Sequence, residues 1–570
     1  MAKTPLFSAL RRSLQRALGK TPGEGPDAAT LAKRRAFLQA SLGAAGLGAM
    51  PALTGCDDEE VGEETIVIVG GGMAGIHCAY QLKEAGITST VYEASKRIGG
   101  RMFSSTGSFP QAPGQLCELG GELIDTEHTT LHELAKQLGL VLDDRAAEPA
   151  GIETETYWLN GVKIDNAVIQ QQFNAVAPTF QTALTAADDE NDSTAYDTLD
   201  ATTLDQWLKD NVPIAMYPEL HGVLQVAYRG EYGLENTEQS ALNLIYLIGS
   251  DEPDPFRIFG SSDERFHTHL GNESFPRMLS EQLDPGQIEL EHKLLAVRDA
   301  DGGFELDFET PSGPETVSAT RIVFALPFTM LREVDLSGLT ISEDKRTMIA
   351  ELGYGTNAKV MAGFSTRTWR NATNSANGSL TTDFNVQQTW ETTIGQEGDH
   401  GIITNFLGGQ QGLASANGTE AEWIQGVLPD LETVWPGTQA AFTGTAVRMH
   451  WPTVPTMKGS YACYKPGQWQ FFGLEGEREG NLHFCGEHTS LDFQGYMEGA
   501  AETGAFVAAE IIDEQGGTKP QSLVAALGVK LLFPQAVYRA GRYGRLSPFA
   551  RRRLKRDIMR RLAAEADAAE

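Results

Sequence analysis

Three glycines, Gly70, Gly72 and Gly75, stand in the order G-x-G-x-x-G between an apolar run, IVIV, and a helix-forming stretch. A second β-branched run then ends in a carboxylate, Glu93. These residue types in this order suit a dinucleotide. Gly70 permits a tight turn, Gly72 lets the backbone approach a pyrophosphate, and Gly75 lets helix pack on strand. The helix N-terminus offers unpaired N–H groups and the positive end of a dipole. Glu93 stands where it can accept from a ribose hydroxyl. Arg97, Gly99, Gly100 and Arg101 follow as R-x-G-G-R, which suits a second backbone approach to a long, doubly charged cofactor. The plain alternative is a glycine-rich turn in another α/β protein. The flanking strand, helix and acid together favour the dinucleotide.

Further groups with chemical potential lie far along the chain. CELGG at 117–121 is followed by Glu122-Leu123. Lys359 sits inside GYGTNAKV, and lysine is rarely buried without a partner. A strand-edge lysine with its head in solvent is the plain alternative. LHFCGEHT at 482–489 carries Gly486 and Glu487, and GYMEGA at 495–500 carries Tyr496 and Met497 at the start of a helix. That helix can aim N–H groups at a group that gains negative charge on reduction. YRGEYG at 228–233 is a dense polar and aromatic cluster, readable as a packed helix end or as a substrate contact.

In these segments, in order and over most of 65–512, the sequence resembles the flavin-containing amine oxidase family. The resemblance implies FAD. It implies that Gly121 and Glu122 lie by the isoalloxazine, that Gly486, Glu487 and Met497 contact the flavin end, and that backbone at Leu294 passes under the adenine. It implies that Lys359 holds a water against flavin N5. Tyr461 and Tyr496 match two rings that face each other before the flavin, and Trp451 matches a tryptophan packed beside it. Some members link flavin to a cysteine where this chain has Ser460, so FAD should be noncovalent.

The implied reaction is oxidative deamination of a primary or secondary amine, or of an L-amino acid, through an imine to a carbonyl product and ammonia. Electrons would pass to O2, giving peroxide, or to another acceptor. Animal-type L-amino-acid oxidases place a carboxylate-gripping arginine where this chain has Glu122-Leu123, a departure that favours amines. Arg229 or Arg265 would have to supply the grip from another direction. A desaturase or porphyrinogen-type oxidase on the same fold, or an inert cofactor-binding protein, are the alternatives. The first lacks a reason for Lys359 and the paired tyrosines.

These elements must be positioned by an α/β fold. We expect a Rossmann-like FAD-binding domain of the two-dinucleotide-binding-domain type, with an inserted mixed α+β substrate domain. The FAD-binding parts would be 65–125, 269–330 and 450–515, and the substrate-binding parts 126–268 and 331–449. The stretch 126–261 reads as helix and loop, and RIVFALP at 321–327 as a buried strand.

The chain has 570 residues and a net charge of −31, which argues against nucleic acid as a partner. Its five cysteines show no C-x-x-C and no zinc spacing, so no metal is expected. Residues 1–56 read as a twin-arginine-type signal, with Arg34-Arg35, a mildly apolar stretch and a lipobox at LTGC ending in Cys56. This implies a periplasmic protein held at the inner membrane by lipid. An acidic linker spans 57–64. The segment 516–570 reads as a basic tail outside the core, able to contact an anionic membrane surface.

Overall fold

The computed structural model describes residues 64–189, 192–250 and 252–528. The expected signal, the lipobox, nearly all of the acidic linker and the basic tail from residue 529 onward lie outside the described residues.

The first strand, β1 (Ile66–Val69), is wholly buried and pairs in parallel on both edges. Its neighbours are β2 (Ser89–Glu93) and β4 (Arg321–Phe324), reached after β3 (Ile288–Leu290) in the chain. With β5 (Leu482–Phe484), the five strands form an all-parallel sheet in the order β5-β4-β1-β2-β3. Side chains alternate across such a sheet. Ile66 and Ile68 join a core with α1 (Met73–Glu84) and α2 (Met497–Glu514). Val67 and Val69 face the other way, into a core with Leu294, Val297, Leu306 and Phe308. Burial on both faces explains why these strands read as continuous apolar runs.

That second face is covered by a four-stranded sheet of Lys293–Ala300, Gly303–Thr310, Gly313–Ala319 and Asp335–Gly338. A hairpin at Asp301-Gly302 joins its first two strands. A separate seven-stranded sheet holds, in order, Phe442–His450, Ala358–Phe364, Gly401–Leu407, Gln388–Glu391, Leu380–Thr382, Thr156–Leu159 and Val162–Ile164. The last two strands correct the reading of 126–261 as helix and loop. They add to the sheet through a parallel pairing of Thr156–Leu159 with Leu380–Thr382, a partner no local pattern announces. Helices such as Pro218–Tyr232 pack beside this sheet around Phe173, Leu224 and Tyr228.

The tail expected from residue 516 also begins later than read. Helix Gln521–Leu527 buries Leu523 and Leu527 in the same core as Leu131 and Leu134 of helix Thr129–Leu138.

Two glycines set the approach of α1. A Cβ on Gly75 would collide with the carbonyl oxygen of Gly70, and one on Gly504 of α2 with that of Ala74. We expect Gly75→Ala to force α1 off β1 and to cost about 1–3 kcal/mol of stability, the usual range for overpacking. Urea unfolding of the two proteins measures it, and an unchanged midpoint would show that the helix yields freely.

Candidate active site

A single cavity of about 990 Å³ runs from the C-terminal ends of β1 and β2 to the inner face of the seven-stranded sheet. Of the residues singled out from the sequence, Gly70, Gly72, Glu93, Gly100, Arg101, Gly121, Glu122, Leu294, Lys359, Trp451, Tyr461, Gly486, Glu487, Tyr496 and Met497 line it. Gly75 does not; it lies behind the turn, where its lack of a side chain admits the helix.

At the strand end the two glycine loops are tied together. Gly72 bridges Gly99, and the Gly99 N–H donates to Gly71 O at 2.7 Å. A Cβ on Gly72 would meet nothing within 4 Å, so its backbone faces open space. Gly70 has φ +112° and Gly100 φ +56°, conformations that favour glycine. Glu93 accepts from the N–H of Gly71 and of Ser95, each at 2.8 Å. Each carboxylate oxygen has a further lone pair for a hydroxyl. This is a cradle for a pyrophosphate and a ribose.

Midway, Arg101 donates to Glu487 at 2.9 Å and to Ser460 O at 2.6 Å. The Gly495 N–H donates to the other Glu487 oxygen at 2.9 Å. Glu487 therefore fastens the R-x-G-G-R loop to the turn that opens α2. The Ser460 hydroxyl donates to Asn357 at 2.6 Å, and Asn357 donates to Gly230 O at 2.6 Å. Cys463 is buried beside Asn243 and does not line the cavity.

At the far end Lys359 lies in the wholly buried strand Ala358–Phe364. Its ammonium donates to Gly120 O at 2.7 Å, Glu122 Oε2 at 2.8 Å and Glu118 O at 3.2 Å. The other Glu122 oxygen accepts from the Thr392 hydroxyl. Burial alone would raise the Glu122 carboxyl, but the Lys359 charge and hydrogen bond overcome it, and the net shift is downward. The ammonium that the resemblance assigns to a water thus has three protein acceptors within hydrogen-bond reach, one for each N–H. Glu122, expected as a flavin contact, lines the cavity and is the counter-ion of Lys359.

Tyr461 and Tyr496 converge on one residue, Glu231, in the last turn of helix Pro218–Tyr232. The Tyr496 hydroxyl donates to the Glu231 carboxylate at 3.0 Å, and the Tyr461 hydroxyl to the Glu231 main-chain oxygen. Burial, then the Glu231 charge, pushes both phenols well above their ordinary range, so both stay neutral. The YRGEYG cluster is a packed helix end, and its Glu231 lines the cavity.

Arg265 lines the cavity but is held by both Asp144 oxygens, at 2.8 and 2.6 Å. Arg229 does not line it, and its guanidinium lies 3.9 Å from Glu235. Arg145 does line it, and among the described residues donates only to main-chain oxygens, Glu264 O at 3.1 Å and Glu391 O at 3.4 Å. Nothing in DDRAAEP distinguishes that arginine from a surface one. Glu264 and Glu155 share this end. Burial first, then the charges of Glu231 and Asp125, raises Glu264 to about 8.

The chain belongs to the flavin-containing amine oxidoreductases, whose family model matches residues 73–512. An L-amino acid dehydrogenase of Synechocystis sp. is 25% identical over 480 residues, covering 78% of this chain and 94% of the relative. An L-amino-acid oxidase of Siganus canaliculatus is 24% identical over 479 residues, covering 79% and 85%. The solved structure of a cyclohexylamine oxidase from Brevibacterium oxydans IH-35A shares the fold, with a TM-score of 0.67 and 21% identity over 80% of this chain and all of that one. The protein is therefore a flavin-dependent oxidoreductase with a Rossmann-like cofactor domain.

One buried acid gives a pH prediction. Glu118 accepts from Asn272 N–H and the Ser104 hydroxyl, each at 2.8 Å, and burial nevertheless raises it from 4.5 to about 8. A carboxyl raised on folding adds stability that is full below about 4.5 and lost as pH climbs through about 8. Thermal melts between pH 5 and 8 should show stability falling with pH, and Glu118→Gln should flatten that slope. An equal slope in the variant would remove Glu118 from the account.

Proposed function

We propose that the protein binds FAD without a covalent link and oxidatively deaminates an L-amino acid through the imine to the 2-oxo acid and ammonia. The carrying observation is Arg145, a cavity-lining guanidinium bonded, among the described residues, only to main-chain oxygens. Its planar fork suits a carboxylate. The names of the two relatives above point the same way.

The glycine cradle and Glu93 would hold the pyrophosphate and adenosine ribose, and the N-terminus of α2 would face the flavin pyrimidine. FAD bound there would accept a hydride equivalent from the substrate α-carbon. Arg145 would fix the substrate carboxylate and so orient that carbon. Tyr461 and Tyr496, held from behind by Glu231, would flank the amine and exclude water from it. The Ser460 hydroxyl, already bonded to Asn357, offers no thiol for attachment.

A second reading is a simple amine without a carboxylate, favoured by the acids Glu231, Glu264 and Glu155 at the substrate end. Initial rates on L-amino acids and on matched amines lacking the carboxylate separate the two. With Arg145→Met, KM for amino acids should rise about a hundredfold, as for loss of a charged contact of about 3 kcal/mol, with little change for amines. A variant with unchanged amino-acid KM would favour the amine reading.

Cofactor attachment has its own test. Acid precipitation should leave yellow cofactor in the supernatant. Colour retained in the pellet would mean a covalent link.

A further inference from the structure

We propose that Glu122 sets the electron acceptor: by neutralising Lys359 it makes O2 a poor oxidant of the reduced flavin. This rests on the flavin reading above.

The argument starts from donor counting. A lysine ammonium has three N–H bonds. Those of Lys359 point at Gly120 O, Glu122 Oε2 and Glu118 O. The remaining neighbour given by the geometry is the face of Trp390, with the ammonium 5.3 Å from its centre. Both partners are nearly sealed from solvent, with side chains 7% and 3% exposed. Glu122 is itself pinned by Thr392, so it cannot swing away without leaving that hydroxyl unmatched. The pair lines the cavity beside Gly120 and Gly121, at the substrate end. Its net charge is zero.

The chemistry at stake is sensitive to that charge. Reduction of O2 to H2O2 takes two electrons and two protons. The first electron produces a superoxide anion beside the ring. A fixed, unpaired cation in a dry site stabilises such a developing anion. A cation whose charge is cancelled at 2.8 Å, and whose donors are all in use, does so far less. Arg145 adds positive potential nearby, felt by Glu122. In the proposed complex the substrate carboxylate offsets it. An acceptor that takes both electrons and protons without passing through a small anion, as a quinone-imine dye does, needs no such cation.

Sulfite titration of the bound flavin reads the local positive charge without turnover, because the sulfite dianion adds at flavin N5. Reoxidation of the reduced holoenzyme by O2 and by dichlorophenolindophenol, followed by stopped flow, gives the second readout. Wild type should bind sulfite weakly and react with O2 about tenfold or more slower than with saturating dye. Glu122→Gln, nearly isosteric, should tighten sulfite binding and raise the ratio of the O2 rate to the dye rate, each about tenfold. Adding Lys359→Met to that variant should cancel both gains.

Wild type that reacts with O2 as fast as with dye overturns the proposal, even if no variant folds. So does a folded, flavin-replete Glu122→Gln with unchanged sulfite affinity and an unchanged ratio of the O2 rate to the dye rate. Purified protein without a flavin spectrum would instead overturn the cofactor reading beneath it.

Discussion

The ion pair between Lys359 and Glu122 joins the two halves of the molecule. Lys359 belongs to a central strand of the seven-stranded sheet, flanked by Gly401–Leu407 and Phe442–His450. Glu122 belongs to the glycine loop that follows Leu116–Glu118 on the cofactor side. Both charges are taken out of water, which costs several kcal/mol per ion unless every lone pair and proton is met. Here two main-chain carbonyls and the Thr392 hydroxyl complete the set. Loss of one partner alone would strand a buried charge, at a typical cost of about 3–5 kcal/mol. The pairing therefore holds the substrate-side sheet in one position over the glycine loop, and the cavity between them keeps its shape.

The same logic of satisfied polar groups runs along the cavity. Glu487 is met by Arg101 and Gly495, Glu93 by two N–H groups, and Asn357 by Ser460 and Gly230. Arg101 with Glu487, and Asn357 with Ser460 and Gly230, join segments more than 100 positions apart. Where the clamps stop, burial raises the Glu264 carboxyl more than the Arg145 charge lowers it.

Much of the cofactor end was legible in the sequence because its constraints are local. Gly70 and Gly100 must adopt positive φ, and Gly75 must admit a helix, so residue type and spacing alone declare them. Apolar runs buried on both faces declare the parallel strands, and the hairpin at Asp301-Gly302 declares itself by its turn residues. Other features carried no local mark. The strands Thr156–Leu159 and Val162–Ile164 are defined by a sheet whose other members lie beyond residue 357.

The sequence by itself determined a dinucleotide-binding α/β fold and the family to which the chain belongs, because backbone sterics and strand periodicity act between near neighbours. Only the tertiary structure decided what the charged side chains do. Glu122 meets Lys359 across 237 positions, Glu231 meets Tyr461 across 230 and Tyr496 across 265, and Arg265 is lost to Asp144 across 121. A carboxylate or guanidinium looks the same in a sequence whether it is solvated, paired or aimed at a substrate. Its role is set by the dielectric and the partners around it, and folding alone brings those together.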